Sequence, residues 1–140
     1  MPRLREMGVL VLGSGNVVHD LRMLDWKHPD TGFDWAQHFD KAAMRQLAED
    51  PAAVLRLADH PDYAKAVPTP DHFIFLLYLA GMAAEEGHAV EPVLQGYSMG
   101  GISMTSYGIG MDAATLARVP DEAHGAARVP GGVPAVETNT

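Results

Sequence analysis

The sequence predicts a mixed α/β domain in which helices flank a sheet. Three observations support this fold class: a β-branched run that ends in a glycine turn near the N-terminus, several segments with apolar residues at helical spacing, and two late β-like runs around a Met-Gly-Gly turn. A length of 140 residues is that of one ordinary domain, and a hydrophobic content of 47% is enough for a globular core.

The first predicted element is a strand at residues 8–12 (GVLVL), which contains no polar side chain. Such a run is typical of a strand buried on both faces, as in a parallel α/β sheet. The Gly-Ser-Gly sequence at residues 13–15 then turns the chain, and Asn16 is a good N-cap residue. Because apolar side chains follow this cap at helical spacing, a helix is predicted over residues 17–24.

Two helices are predicted in the middle of the chain. The first begins with Asp34 as its cap and Gln37 as the capping-box partner, and it ends near Glu49. The second is short and follows Asp50 and Pro51, because a cap residue before proline favours the first turn of a helix.

The most apolar helix is predicted from Asp71 to about Glu85, after a Thr-Pro pair. It is apolar nearly all round, so it should be buried. Two β-like runs follow at residues 92–97 and 102–109, and the Met-Gly-Gly turn between them favours a hairpin.

From Asp112 onward the chain is rich in Ala, Pro and Gly and loses its periodicity. A segment of this composition buries too little apolar surface to offset the entropy lost on ordering. Residues 1–111 are therefore predicted to form the folded domain, and residues 112–140 a disordered tail.

Charge and composition exclude several classes of function. A formal charge of −8 without any Lys/Arg cluster disfavours nucleic acid and anionic lipid as partners. Without cysteine, any metal must be held by His, Asp or Glu, and the chain has seven histidines. Since no apolar stretch is long enough to span a bilayer and the run at residues 7–12 is too short for a signal sequence, a cytoplasmic protein is expected.

Two histidines occupy matching positions in the sequence. His19 lies three residues after Asn16, and His72 lies three residues after Thr69, so each is expected in the first turn of a helix. A helix N-terminus disfavours a positive imidazolium, which keeps the ring free to bind a metal or accept a proton. The alternative is that each is a plain structural residue at a helix start. The other five histidines are expected on the solvated surface.

Two further motifs suggest other activities. Residues 96–100 (GYSMG) match the nucleophile elbow G-x-S-x-G, with Ser98 as nucleophile and Asp112 or Asp121 with His124 as acid and base. An elbow needs a helix after the serine, whereas a turn and a strand are predicted there. The Gly-Ser-Gly turn is similar to a dinucleotide-binding loop, but valine stands in the place of its third glycine.

Four segments together resemble the class III extradiol dioxygenases of the LigB superfamily, and within it the DOPA dioxygenases. They are GVLVLGSGNVVHDLR (8–22), FDWAQHFD (33–40), PTPDHFIFLLYLAG (68–81) and GYSMGGISMTSY (96–107). The resemblance implies that residues 1–111 are the C-terminal part of such a catalytic domain. It also implies a non-haem metal, Fe(II) or Zn(II), and a reaction in which O2 opens the ring of a small aromatic diol.

The resemblance implies roles for particular residues. His19 would be a metal-site residue and the acid/base toward the catechol, and His72 would be a metal ligand. Asp71 is an alternative carboxylate ligand, or a partner that orients an imidazole. Asp20 and Phe75 stand where the family usually has asparagine and proline.

Members of the family have a long N-terminal half that supplies two further metal histidines. The expectation is therefore a half-enzyme that self-associates or binds a complementary N-terminal half, since a sheet without its neighbours exposes apolar surface and free edges. The alternative is a non-catalytic remnant that acts as an oligomerising or regulatory module.

Overall fold

The computed structural model describes residues 6–111, and the predicted tail lies outside this range. One strand comes first, a run of helices follows, and four strands end the described chain, which confirms the mixed α/β class. The α-helices are α1 (Asp34–Glu49), α2 (Tyr63–Ala66) and α3 (Asp71–Glu86), and two 3-10 helices span Leu21–Met23 and Pro51–Asp59. The strands are β1 (Leu12–Ser14), β2 (Val90–Leu94), β3 (Tyr97–Ser98), β4 (Ile102–Ser103) and β5 (Ser106–Ile109).

The strands form two antiparallel groups. The larger sheet has the order β1-β5-β2, with Gly13 opposite Tyr107 and a register shift between Pro92 and Leu94. Strands β3 and β4 form the predicted hairpin. In its turn, Met99 has a φ of 49° and Gly100 a φ of 78°. Glycine adopts a positive φ without strain because it has no Cβ.

The prediction of a doubly buried strand at residues 8–12 is wrong. Strand β1 begins only at Leu12 and pairs antiparallel with β5. Helix α3 packs against one face, at Gly13, where an added Cβ would overlap the Leu79 side chain. Other apolar residues of this run are uncovered within the described chain: Leu10 is 62% exposed and Leu12 is 57% exposed.

The predicted helix over residues 17–24 is also wrong. Only the short 3-10 helix Leu21–Met23 forms there, capped by the side chain of Asp20. Val17 and Val18 are instead buried, and the backbone of Val18 accepts a hydrogen bond from the Ser103 amide. β-branched residues favour extended backbone, and pairing with the hairpin satisfies polar groups that a helix would otherwise have paired internally.

Helix α1 agrees with the sequence in where it ends but not in how it begins. It ends at Glu49 as predicted, but its N-cap is Phe33 rather than Asp34. The Gln37 side chain donates to the carbonyl of Gly32 instead of completing a capping box. The buried residues of the helix are Ala36, Phe39, Asp40, Ala43 and Leu47.

Helix α3 has the predicted bounds to within one residue. Its last residue is Glu86, and the C-cap residue Gly87 has a φ of 68°, the left-handed conformation common at helix C-termini. The prediction that it is buried all round is wrong in part, because Ile74 and Tyr78, one turn apart, are exposed. No helix in the described part of the chain has the length and apolarity that crossing a bilayer requires.

The helix predicted after Asp50 forms as the 3-10 helix Pro51–Asp59, with proline in its first turn. It contributes Val54 and Leu57 to the core. This core lies between α1, α3 and the three-stranded sheet, and it includes Tyr107 and Ile109 of β5. The segment just before His19 joins this core through Val17 and Val18.

Candidate histidine site

The imidazoles of His19 and His72 stack face to face. Their ring centroids are 3.6 Å apart and their planes differ by 18°. One ring comes from the segment after β1 and the other from the first turn of α3. The fold thus brings together the two histidines that the sequence singled out.

His19 is held by backbone hydrogen bonds on both sides of its strand-like segment. Its amide donates to the Ala66 carbonyl at 2.8 Å, and the residue forms an antiparallel bridge with Ile102 of the hairpin. The next amide, that of Asp20, donates to the Gly101 carbonyl at 3.0 Å. The prediction that His19 lies in a helix is therefore wrong, and the hairpin supports it instead.

His72 is the second residue of α3, as predicted, and its side chain is 36% exposed. Its Nε2 lies 3.5 Å from Oδ2 of Asp71. A hydrogen bond from the Thr69 side chain is the largest cause that lowers the pKa of Asp71. An ionised carboxylate thus lies beside the imidazole pair.

The pKa of His19 is lowered, first by burial and then by the neighbouring His72. Asp71 and Asp20 oppose this effect but do not outweigh it. The sequence therefore predicted the direction of this pKa shift correctly. The predicted cause, a helix dipole, does not apply, because His19 lies outside a helix. A neutral His19 keeps a nitrogen lone pair for a metal or a proton.

Asp20, the neighbour of His19, makes a fork-like ion pair with Arg22. Oδ1 of this buried carboxylate accepts from the Arg22 backbone amide at 3.0 Å and from Nε at 2.9 Å, while Oδ2 accepts from Nη2 at 2.8 Å. Hydrogen bonding to Arg22 is the largest cause that lowers the pKa of Asp20. The pair fixes the turn that leaves the site.

A buried carboxyl group on α1, that of Asp40, was missed in the sequence. Its Oδ2 accepts from the Tyr97 hydroxyl at 3.1 Å and from the Thr105 hydroxyl at 2.8 Å. The signal was present, because Asp40 falls on the apolar stripe of α1 with Ala36 and Ala43. Burial raises the pKa of Asp40, and the hydrogen bonds to it oppose that rise.

Replacing Asp40 with asparagine should change how stability depends on pH. Above pH 3.8, the ordinary pKa, the unfolded chain loses this proton while the folded chain keeps it. The contribution of Asp40 to the free energy of unfolding is therefore greatest below that pH and falls as the pH rises to the folded-state pKa. Asp40→Asn removes this dependence, so its stability relative to wild type should increase with pH. Urea unfolding between pH 4 and pH 7 measures this difference, and parallel curves would contradict it.

The imidazole nitrogens of His19 and His72 are suitable ligands for a divalent metal, but two ligands do not complete a metal site. Catalytic zinc sites and non-haem iron sites use at least three protein ligands. Within residues 6–111, no three His, Asp or Glu side chains are arranged to hold one ion. The lone pair of an imidazole nitrogen lies in the ring plane, so binding one ion would also require the two stacked rings to open toward it.

The other histidines are not part of this cluster in the described range. His28 is exposed and contacts Asp25 at 2.7 Å, as a surface residue would. His60 contradicts the surface prediction, because its side chain is only 23% exposed and its ring packs edge-on against Phe39. His124 lies outside the described residues.

The context of the alternative motifs does not favour a nucleophile or a cofactor loop. Ser98 lies in β3 and is followed by a turn and β4, so the helix of a nucleophile elbow is replaced by a strand. The acid and base proposed for it, Asp112 or Asp121 with His124, lie outside the described residues. The Gly-Ser-Gly turn is not followed by a helix that could bind a pyrophosphate.

The fold and the imidazole pair define an α/β protein with part of a histidine-based site. Residues 2–110 match the family model of the catalytic LigB subunit of aromatic ring-opening dioxygenase, and the chain belongs to this family.

Comparison with two relatives shows how much of their length this chain spans. The chain is 33% identical over 111 residues to 4,5-DOPA dioxygenase extradiol of Escherichia coli (strain K12), a match that covers 76% of this chain and 41% of the relative. The crystal structure of the uncharacterized protein JW3007 from Escherichia coli K12 matches with a TM-score of 0.62 and 30% identity, covering 78% of this chain and 46% of that one. The chain thus spans less than half the length of these relatives.

Proposed function

We propose that this chain is the C-terminal part of an extradiol dioxygenase that uses O2 to open the ring of a catechol-type substrate. The observation that carries the proposal is the contact between His19 and His72, whose ring centroids are 3.6 Å apart in a chain of the LigB family. In this proposal residues 1–111 belong to the catalytic domain, and residues 112–140 are a tail that takes no part in the site.

His72 would bind the metal, Fe(II) or Zn(II), and His19 would lie at the metal site beside it, with further ligands from the rest of the fold. Fe(II), when bound, would supply the redox chemistry by which O2 reacts with the ring. Asp71, 3.5 Å from Nε2 of His72, is placed either to orient that ring or to bind the ion itself.

His19 would act as the acid and base of the reaction. Burial and His72 lower its pKa, so the ring is neutral near pH 7 and can accept a proton from a catechol hydroxyl. It can return this proton to a product oxygen after the ring has opened. The hydrogen bond from its amide to Ala66 and the bridge to Ile102 keep the ring in place during both transfers.

Metal content and oxygen uptake test this proposal. The chain is loaded anaerobically with Fe(II), alone and together with the part of the Escherichia coli relative that it lacks, and O2 uptake is followed with DOPA or protocatechuate. We expect uptake of one O2 per catechol, with iron bound at the site of the two histidines. A protein that binds iron but consumes no O2 with either catechol in either arm would instead be a non-catalytic remnant.

The exposed apolar run around β1 supports a partner that completes the sheet. Val9, Leu10 and Leu12 are 43%, 62% and 57% exposed, and such a strand favours association. We propose that a complementary half of the fold, or a second copy of this chain, covers it. Light scattering after gel filtration should show a concentration-dependent dimer that Leu10→Lys disrupts. Leu55→Lys, at an equally exposed apolar residue on the 3-10 helix, should not, and a monomer at all concentrations would exclude self-association.

A further inference from the structure

A continuous set of polar contacts joins helix α1 to the segment that carries His19. It begins at Asp40, which is 1% exposed and lies in the middle of α1. Its carboxylate accepts hydrogen bonds from Tyr97 on β3 and from Thr105 just after β4. Both arms of the hairpin are thus attached to one buried oxygen, Oδ2.

The hairpin is attached in turn to the residue before His19. Ser103, opposite Tyr97 in the hairpin and fully buried, donates its amide to the Val18 carbonyl at 3.0 Å. Its hydroxyl accepts from the Val18 amide at 3.3 Å, and its own carbonyl accepts from the Asn16 side chain at 2.7 Å. Since Val18 is bonded through both backbone groups, its position follows that of the hairpin.

A carboxylate in this place is costly for folding alone. Its Oδ1 and the hydroxyl of Tyr107 are buried without a hydrogen-bond partner among the described residues. An apolar side chain in this place would leave the Tyr97 and Thr105 hydroxyls without their acceptor, so the carboxyl group is matched to the hairpin. The two hydrogen bonds to Oδ2 indicate what this carboxyl group does in the fold.

We propose that Asp40 is a positioning residue for His19: by anchoring both arms of the hairpin to α1, it fixes the Val18 backbone and so keeps the His19 ring beside that of His72, where the two rings stack in the metal-free chain. Its importance for catalysis rests on the proposed role of His19. Its effect on the position of the His19 ring does not depend on that role, because the ring position can be measured in the metal-free chain.

Histidine ring signals in carbon–proton correlation spectra test this inference. Rings stacked at 3.6 Å shield each other, so the ring protons of His19 and His72 should lie upfield of those of the exposed His28. Asp40→Leu keeps the branched shape of the side chain but removes the acceptor, and it should reduce this upfield shift by at least half. Asp40→Asn retains an acceptor oxygen, so its spectrum should remain close to that of the wild type.

A control variant separates positioning from general destabilisation. Val54→Ala weakens the same core from the 3-10 helix without touching the hairpin. It should leave the His19 signals unchanged. If Asp40→Leu folds with wild-type signals, or if Val54→Ala moves them as far, Asp40 does not position His19.

A milder variant decides the question if Asp40→Leu does not fold. Thr105→Val removes one of the two hydrogen bonds and should shift the His19 signals partway in the same direction. Unchanged signals in a folded Thr105→Val protein would overturn the inference. A retained stack with no O2 uptake would count against the proposed function, whereas a displaced ring in Asp40→Leu supports positioning whatever the activity.

Discussion

Replacing His19 with alanine is expected to lower the turnover number for catechol cleavage by about 10²–10⁴-fold, the range in which a general acid or base contributes. In the proposed mechanism no other described side chain at the site is placed to take the catechol proton, because Asp71 is ionised at a much lower pH and lies next to His72. The variant should retain the fold, since the backbone contacts of residue 19 do not involve the ring. Oxygen uptake under saturating catechol measures the effect.

His88→Ala is the matched control for this experiment. His88 is an exposed histidine just after α3, outside the imidazole pair. Its replacement should leave turnover within about twofold of wild type, as surface substitutions away from special contacts usually do. Equal losses in the two variants would remove the special role of His19.

Replacing Gly101 with alanine is expected to destabilise the protein by roughly 1–3 kcal/mol, the usual cost of inserting an extra group into a packed site. An added Cβ would lie 2.8 Å from the carbonyl oxygen of Asp20 and 3.2 Å from that of Met23. Both contacts are with backbone, which cannot rotate away as a flexible side chain would. The turn after His19 must therefore move, so the variant should also weaken metal binding. Thermal unfolding and Zn(II) titration measure the two effects.

Gly81→Ala provides a control with the opposite sign. Gly81 lies inside α3 with open space where a Cβ would be added. Alanine is favoured over glycine in a helix by roughly 0.5–1 kcal/mol, so this variant should be more stable than wild type. If both variants shifted the melting temperature in the same direction, the contact with the Asp20 carbonyl would not explain the effect at Gly101.

The sequence by itself determined the elements whose signals are local. The bounds of α3, the end of α1 and the Met-Gly-Gly hairpin turn depend on caps, prolines, glycines and apolar spacing, all of which act within a few residues. The four family segments identified His19 and His72 for the same reason, since each histidine stands in a short motif of its own.

Only the tertiary structure decided how the segment around His19 is built. Its local signals favoured a helix, but Val18 and His19 pair with a hairpin more than eighty residues later in the chain, and that pairing outweighs local propensity. The exposure of β1 and the contacts of Asp40 also depend on residues that are distant in the sequence. A carboxylate on an apolar stripe and a run of aliphatic residues do not specify their partners, because burial depends on what the rest of the fold places against them.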